Sequence, residues 1–206
     1  MDVLVLGIGN VLWADEGFGV RAVEVLHEAY ECPPGVELVD GGTQGLYLLD
    51  YVCSARRLIV FDAIDYGLPA GSLKVLRDAD IPAWSAVKMS LHQTNFQEVL
   101  SLAQLKGRVP ERMTLIGVQP EDLSDFGGSM RASVRGRVPE AVALAAQELA
   151  DWGYPLRGRS AKVAGARLNA APLAIDAYEA GRPSAEVACR VGDARFLNIR
   201  AKQEAG

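Results

Sequence analysis

Val3-Leu4-Val5-Leu6-Gly7-Ile8-Gly9-Asn10 opens the chain, an aliphatic run that ends in paired glycines. A run this short and this continuously apolar reads as a strand buried on both faces. Glycines directly after it allow a tight turn. Phe18, Ala22, Val25 and Ala29 then fall on one side of a helix between Phe18 and Tyr30. Strand, glycine turn and helix make half of a βαβ unit, and the pattern recurs downstream. Residues 36–39, 58–61 and 113–118 read as further buried strands, and residues 72–76 as an extra edge strand. Residues 95–105 place Phe96, Val99, Leu100 and Ala103 together, and Thr94 with Gln97 forms a T-x-x-Q capping box at their start. Pro139 suits a first helical position, and Gly153 suits the stop of a helix carrying Val142, Ala145, Leu149 and Trp152. Alternating strands and helices predict an α/β three-layer sandwich, a mostly parallel twisted sheet with helices on both faces.

Folds of this kind place their sites in the crevice at the carboxyl ends of the strands. That rule selects residues 7–16, 40–45, 62–67 and 119–128. The chain has 206 residues, half of them hydrophobic, and a net charge of −5. Such a chain buries a full core. No long Lys/Arg run is visible, which argues against a nucleic-acid partner. The N-terminal apolar run is too short to cross a bilayer and lacks a basic leader. Cys32, Cys53 and Cys189 form no CxxC pair, so a disulfide framework and a thiolate zinc site are both disfavoured, and a reducing cytoplasm fits.

The crevice loops offer several chemistries. Gly7 and Gly9, with Asp40 after the second strand, allow a Rossmann-like dinucleotide-binding oxidoreductase. Leu12 stands where that motif needs a third glycine, and Asp15-Glu16 would repel a pyrophosphate at the helix start. Asp15 is equally read as a helix N-cap. Asp62 and Asp65 follow the third strand as crevice acids or as turn residues that bond nearby amides. Histidine occurs twice. His27 reads as a surface residue on the first helix. His92, in Ser90-Leu91-His92-Gln93-Thr94, reads as a ligand or as a structural hydrogen-bonder. There is no HExxH and no G-x-S-x-G, and no cysteine has an evident histidine partner. Acids and one imidazole on separate crevice loops form an O/O/N set that suits borderline divalent metals.

The run from Val5 to Val20, containing Gly7-Ile-Gly9-Asn10 and Asp15-Glu16-Gly17-Phe-Gly19, closely resembles the opening motif of the hydrogenase maturation proteases. Four more stretches resemble that family in order and spacing. They are Asp40-Gly41-Gly42-Thr43, Val60-Phe61-Asp62-Ala63 with Tyr66-Gly67, Ser90-Leu91-His92-Gln93, and Gly117-Val118-Gln119-Pro120 followed by Gly127-Gly128-Ser129. The resemblance implies an endopeptidase that trims the large-subunit precursor of a [NiFe] hydrogenase. It implies that Glu16, Asp62 and His92 are at once the metal ligands and the catalytic residues. The metal is nickel already inserted in the precursor and delivered by it, so no permanent cofactor is expected. Asp40, Gly41, Gly42 and Thr43 are expected to contact the substrate segment. A holding chaperone that recognises nickel without cleaving is a third reading. The protease α/β domain is expected over residues 1–155. Residues 156–206, rich in Ala and Arg, read as a C-terminal extension without a core of its own, with a short helix over residues 173–180. A cytoplasmic monomer without membrane insertion is expected.

Overall fold

The computed structural model describes residues 1–83, 91–159 and 168–183, with the side chains of 82–83 and 91–95 left out. Strand β1 (Val3–Ile8) is buried along its whole length, and α1 (Phe18–Ala29) follows after a 3-10 turn over Ala14–Gly17. A short β2 (Tyr30–Glu31) precedes β3 (Val36–Gly42). A second 3-10 turn (Gly45–Leu48) and α2 (Leu49–Ser54) lead to β4 (Arg57–Ala63). Then come β5 (Leu73–Arg77), α3 (Asp80–Ala83), α4 (Leu91–Leu105) and β6 (Arg112–Val118). The chain continues through α5 (Ala132–Arg135), α6 (Val138–Asp151), β7 (Arg157–Gly158), a 3-10 turn (Ala171–Leu173) and α7 (Ile175–Ala180).

The main sheet has the order β3-β1-β4-β6-β5. All its pairs are parallel except the edge strand β5, which runs against β6. Side chains alternate across it. Val3, Val5, Ile59, Phe61 and Ile116 face α1 and α6, where Phe18, Ala22, Leu26, Ala145 and Leu149 meet them. Leu4, Leu6, Leu58, Val60 and Leu115 face α2 and α4, against Val52, Phe96, Val99 and Ala103. Each large aliphatic or aromatic side chain buried in this way contributes roughly 1.5–3 kcal/mol. Arg77 on β5 pairs with Glu148 of α6 at 2.7 Å, and Thr114 Oγ1 donates to the same carboxylate at 2.9 Å. Edge strand, neighbouring strand and covering helix are thus tied together. The three-layer α/β sandwich matches the expectation.

Three local expectations change. Helix α1 buries Phe18, Val20, Ala22, Val23 and Leu26, while Ala29 is exposed. The helix is wedged between the sheet and α6, so its buried stripe is broader and rotated from the simple repeat. Helix α4 begins at Leu91, so Thr94 lies inside it and opens no helix. Nothing in Leu91-His92-Gln93 breaks a helix, and the capping pattern alone does not fix the start. His27 is half-buried rather than on the surface. Pro139 does sit in the first turn of α6, and Gly153 follows its end at φ 88°. Among the described residues, no helix is long and apolar enough to cross a membrane.

Candidate active site

The chain leaves β1 toward β3 on one side and returns through α2 to β4 on the other. Helices α1 and α2 lie on opposite faces, so the carboxyl ends of β1 and β4 form a topological switch point. Glu16 lies on the loop after β1 and Asp62 at the end of β4.

Close backbone approach makes that loop possible. A side chain at Gly19 would collide with the carbonyl oxygens of Ile8 and Phe61, so α1 starts directly against both strands. Gly9, at φ 139°, has the Glu16 carbonyl packed where its side chain would begin. Those glycines are filled by the chain's own backbone, which leaves no cradle there for a dinucleotide. The loop then folds on itself. Asn10 N donates to the Glu16 carbonyl at 3.1 Å, and Glu16 N donates to the Trp13 carbonyl at 2.9 Å.

Asp15 does not cap a helix. It is fully buried, and its carboxylate accepts the backbone N–H groups of Glu121 (2.8 Å), Asp122 (2.9 Å) and Arg131 (2.7 Å). The loop after β6 is thereby bound to the turn that carries Glu16. Trp13 and Phe126 reinforce the join with a β-bridge and rings 5.3 Å apart, and Gly127 N donates to the Leu12 carbonyl at 2.7 Å. Leu12 and Phe126 remain exposed as an apolar rim, and Glu16 on the same turn as Leu12 and Trp13 is half-buried.

Asp62 is 2% exposed, and its Oδ1 accepts the Ala63 N–H at 2.8 Å. It shares the sheet face of Leu58 and Val60, the one covered by α4. Helix α4 leads into β6, so its first turn lies at the carboxyl end of the sheet, near the Gly45–Leu48 turn that it contacts. The backbone of His92 is in that turn; its side chain lies outside the described residues. Among the described residues no metal-holding group of three side chains is present.

Asp40 is separated from this group. It pairs with Gly7 and faces α1, on the opposite side of the sheet from Asp62. Its Oδ1 accepts the Gly42 N–H at 2.8 Å. Burial pushes its carboxyl up, against the opposing hydrogen bonds from Asn169 and Gly42. Asn169 belongs to the C-terminal segment, and it also donates to Glu24 at 2.8 Å. Farther along, Arg21 donates to the Leu173 carbonyl at 2.5 Å, and Glu179 meets Ser129 and Arg135 at 2.5 and 2.8 Å. Residues 168–183 therefore strap the α1 face beside Asp40. Gly41 turns its Cα toward Leu6 and Leu48 on the other face, Gly42 adopts φ 44°, and Thr43 follows at the surface.

Reading the sequence missed the roles of Gln119 and Tyr66. Gln119 Oε1 accepts the N–H groups of Tyr66 (2.7 Å) and Leu68 (3.1 Å), and its Nε2 donates to Asp65 at 3.0 Å. The loop after β4 is thus held to the loop after β6. The Tyr66 phenol is pushed up by burial and by the Asp62 charge. Both residues stand inside the motifs quoted above, which is the signal that would have marked them.

Known proteins resemble this chain over most of its length. A family model described as hydrogenase maturation protease matches residues 20–148. The hydrogenase expression/formation protein HoxM of Cupriavidus necator is 55% identical over 197 residues, covering 95% of this chain and 98% of that one. The hydrogenase expression/formation protein HupD of Rhodobacter capsulatus is 54% identical over 204 residues, covering 98% and 96%. Among solved structures, the hydrogenase maturating endopeptidase HybD of Escherichia coli has a TM-score of 0.74 at 37% identity, covering 78% of this chain and 99% of its own. The [NiFe] hydrogenase maturation protease HybD of Thermococcus kodakarensis has a TM-score of 0.59 at 27% identity, covering 73% and 99%. Those matches place this chain in the hydrogenase maturation protease family, as a peptidase of the hydrolase class.

Proposed function

We propose that this protein removes the C-terminal extension of a [NiFe] hydrogenase large-subunit precursor after nickel insertion, with the precursor's nickel as the recognition element. The observation that carries this reading is the pair at the switch point, Glu16 on the turn after β1 and Asp62 at the end of β4, with the first turn of α4 at the same end of the sheet. Two carboxylates and the His92 imidazole make a ligand set for a borderline divalent ion. A precursor without nickel offers these groups no cation, and its affinity falls; a loaded precursor supplies the missing partner. Nickel arrives as part of the substrate, and the protein needs no resident cofactor.

Hydrolysis then requires a water to add to the scissile carbonyl carbon. A carboxylate of the pair takes the water's proton, the C–N bond breaks, and the departing amine receives the proton. The apolar rim of Leu12, Trp13 and Phe126 gives the precursor's C-terminal segment a surface to lie on. Thr43 and its glycines border the other side of β1. The protein acts in the cytoplasm as a monomer, on a protein substrate.

The test incubates purified protein with nickel-loaded and nickel-free precursor and measures their masses. The reading expects a shortened large subunit only with nickel present. Unchanged mass in both arms would favour the holding chaperone, and equal cleavage in both would remove nickel from recognition.

A further inference from the structure

We propose that Tyr66 touches the substrate at this site, donating a hydrogen bond from its hydroxyl to a carbonyl oxygen of the peptide held beside Asp62. The proposal rests on the endopeptidase reading above.

Placement comes first. The Tyr66 backbone is pinned by Gln119 at 2.7 Å, and Gly67 at φ 69° turns the chain immediately after it. The hydroxyl then fills the space where a side chain at Gly117 would begin. Gly117 is the register partner of Asp62 across β4 and β6. Partners on adjacent strands project to the same face. The hydroxyl is therefore beside the Asp62 side chain, on the face covered by α4. A glycine at 117 is what admits it.

Its bonding state comes second. The hydroxyl oxygen is buried and has no hydrogen-bond partner among the described residues. A hydroxyl withdrawn from water without a partner opposes folding. Phenylalanine would serve the rest of the residue's contacts. The ring packs against the α4-face core, and Lys74 Nζ lies 4.8 Å from its centroid, an attraction that a phenyl ring also supplies. Packing alone gives no reason for the oxygen.

Chemistry supplies one. A tyrosine O–H donates one hydrogen bond, and a peptide carbonyl oxygen accepts one. The hydroxyl keeps its proton throughout. It strengthens its bond as the carbonyl oxygen gains charge on water addition.

The test compares wild type with Tyr66→Phe on nickel-loaded precursor, measuring kcat and KM from product mass over time, with a thermal melt of each protein. The expected result is a fall in kcat/KM of about tenfold or more, carried by kcat, with Tm unchanged or raised. Processing at the wild-type rate overturns the proposal. So does a lowered Tm, because it assigns the hydroxyl a structural partner. A wild-type protein that leaves the loaded precursor whole defeats the endopeptidase reading and Tyr66 with it. A working wild type beside an equally active Tyr66→Phe defeats Tyr66 alone.

Discussion

Asp15→Asn isolates the bond that holds the Glu16 turn in place. The wild-type carboxylate accepts three backbone N–H groups from a loop more than 100 residues away, two on Oδ2 and one on Oδ1. Hydrogen bonds to a charged acceptor are each worth about 1.5–3 kcal/mol, and neutral ones about 1. An asparagine oxygen can keep the Glu121 and Asp122 amides as neutral bonds. Its amide nitrogen then faces the Arg131 N–H, donor against donor. With each charged bond taken at the lower end, about 1.5 kcal/mol, the raw loss is about 3 kcal/mol. Glu121 is exposed and Asp122 and Arg131 are half-buried, so water recovers part of it. The expected net loss is about 2 kcal/mol, and about 3 for Asp15→Ala, which leaves all three amides without the acceptor. Against a total stability of about 5–15 kcal/mol, either is measurable. Urea unfolding with a slope of about 2 kcal/mol/M would place the Asp15→Asn midpoint about 1 M lower, with the slope unchanged. A midpoint within about 0.2 M of wild type would refute the reasoning, because the carboxylate would then contribute no more than an ordinary surface group.

Glu16→Gln, Asp62→Asn and His92→Ala should each slow processing of nickel-loaded precursor by about 100-fold or more, with urea midpoints near wild type; normal trimming by all three would dismiss the assignment. Gly19→Ala should cost about 2 kcal/mol despite alanine's better helix propensity, because the methyl group meets the Ile8 and Phe61 carbonyls; calorimetry showing a gain would mean that α1 can move away from the sheet. Asp122 gives an acid limb to stability. Backbone and side-chain bonds from Ser124, and then Arg131, lower its carboxyl from 3.8 to about 2. A folded pKa below the unfolded one contributes stability above about pH 4 and loses it as pH falls toward 2. Asp122→Asn should flatten that limb, and an identical pH profile between pH 2 and 4 would contradict it. Asn169→Ala removes a donor from both Asp40 and Glu24, and should lower stability by about 1–2 kcal/mol, read as a Tm shift.

The strands were legible because a strand buried on both faces must be nearly all aliphatic. Val3 to Leu6 and the run from Leu58 to Phe61 say so without help. Even the antiparallel β5 edge shows as an isolated alternating run. What stayed hidden involves partners distant in sequence. Asp15 looks like a helix cap because the local pattern for a cap is an acid before a helix. Nothing near it announces that its amides come from residues 121, 122 and 131. Thr94 misled for the same reason, since a capping pattern within a helix is indistinguishable from one at its start.

Asp40 is the instructive case, because two sequence facts point in different directions. It stands at a strand's carboxyl end and beside the glycines of a shared motif, which puts it in the crevice. Strand periodicity makes its side chain face α1, while that of Asp62 faces α4. One sheet edge therefore presents carboxylates to two sides. On the Asp62 side lie Tyr66 and the first turn of α4. On the Asp40 side lies the segment from Leu168 to Arg182, held by Arg21, Glu24, Ser129 and Arg135. The Escherichia coli HybD structure matches over 99% of its own length but only 78% of this chain, whereas HoxM and HupD match over 95–98% of it. HoxM and HupD therefore match a larger share of this chain than HybD does, and residues 168–183 pack beside Asp40. A substitution at Asn169 therefore perturbs the α1 face first, whereas one at Tyr66 acts across the sheet at Asp62. Comparing their effects on stability and processing separates the two sides of one strand edge.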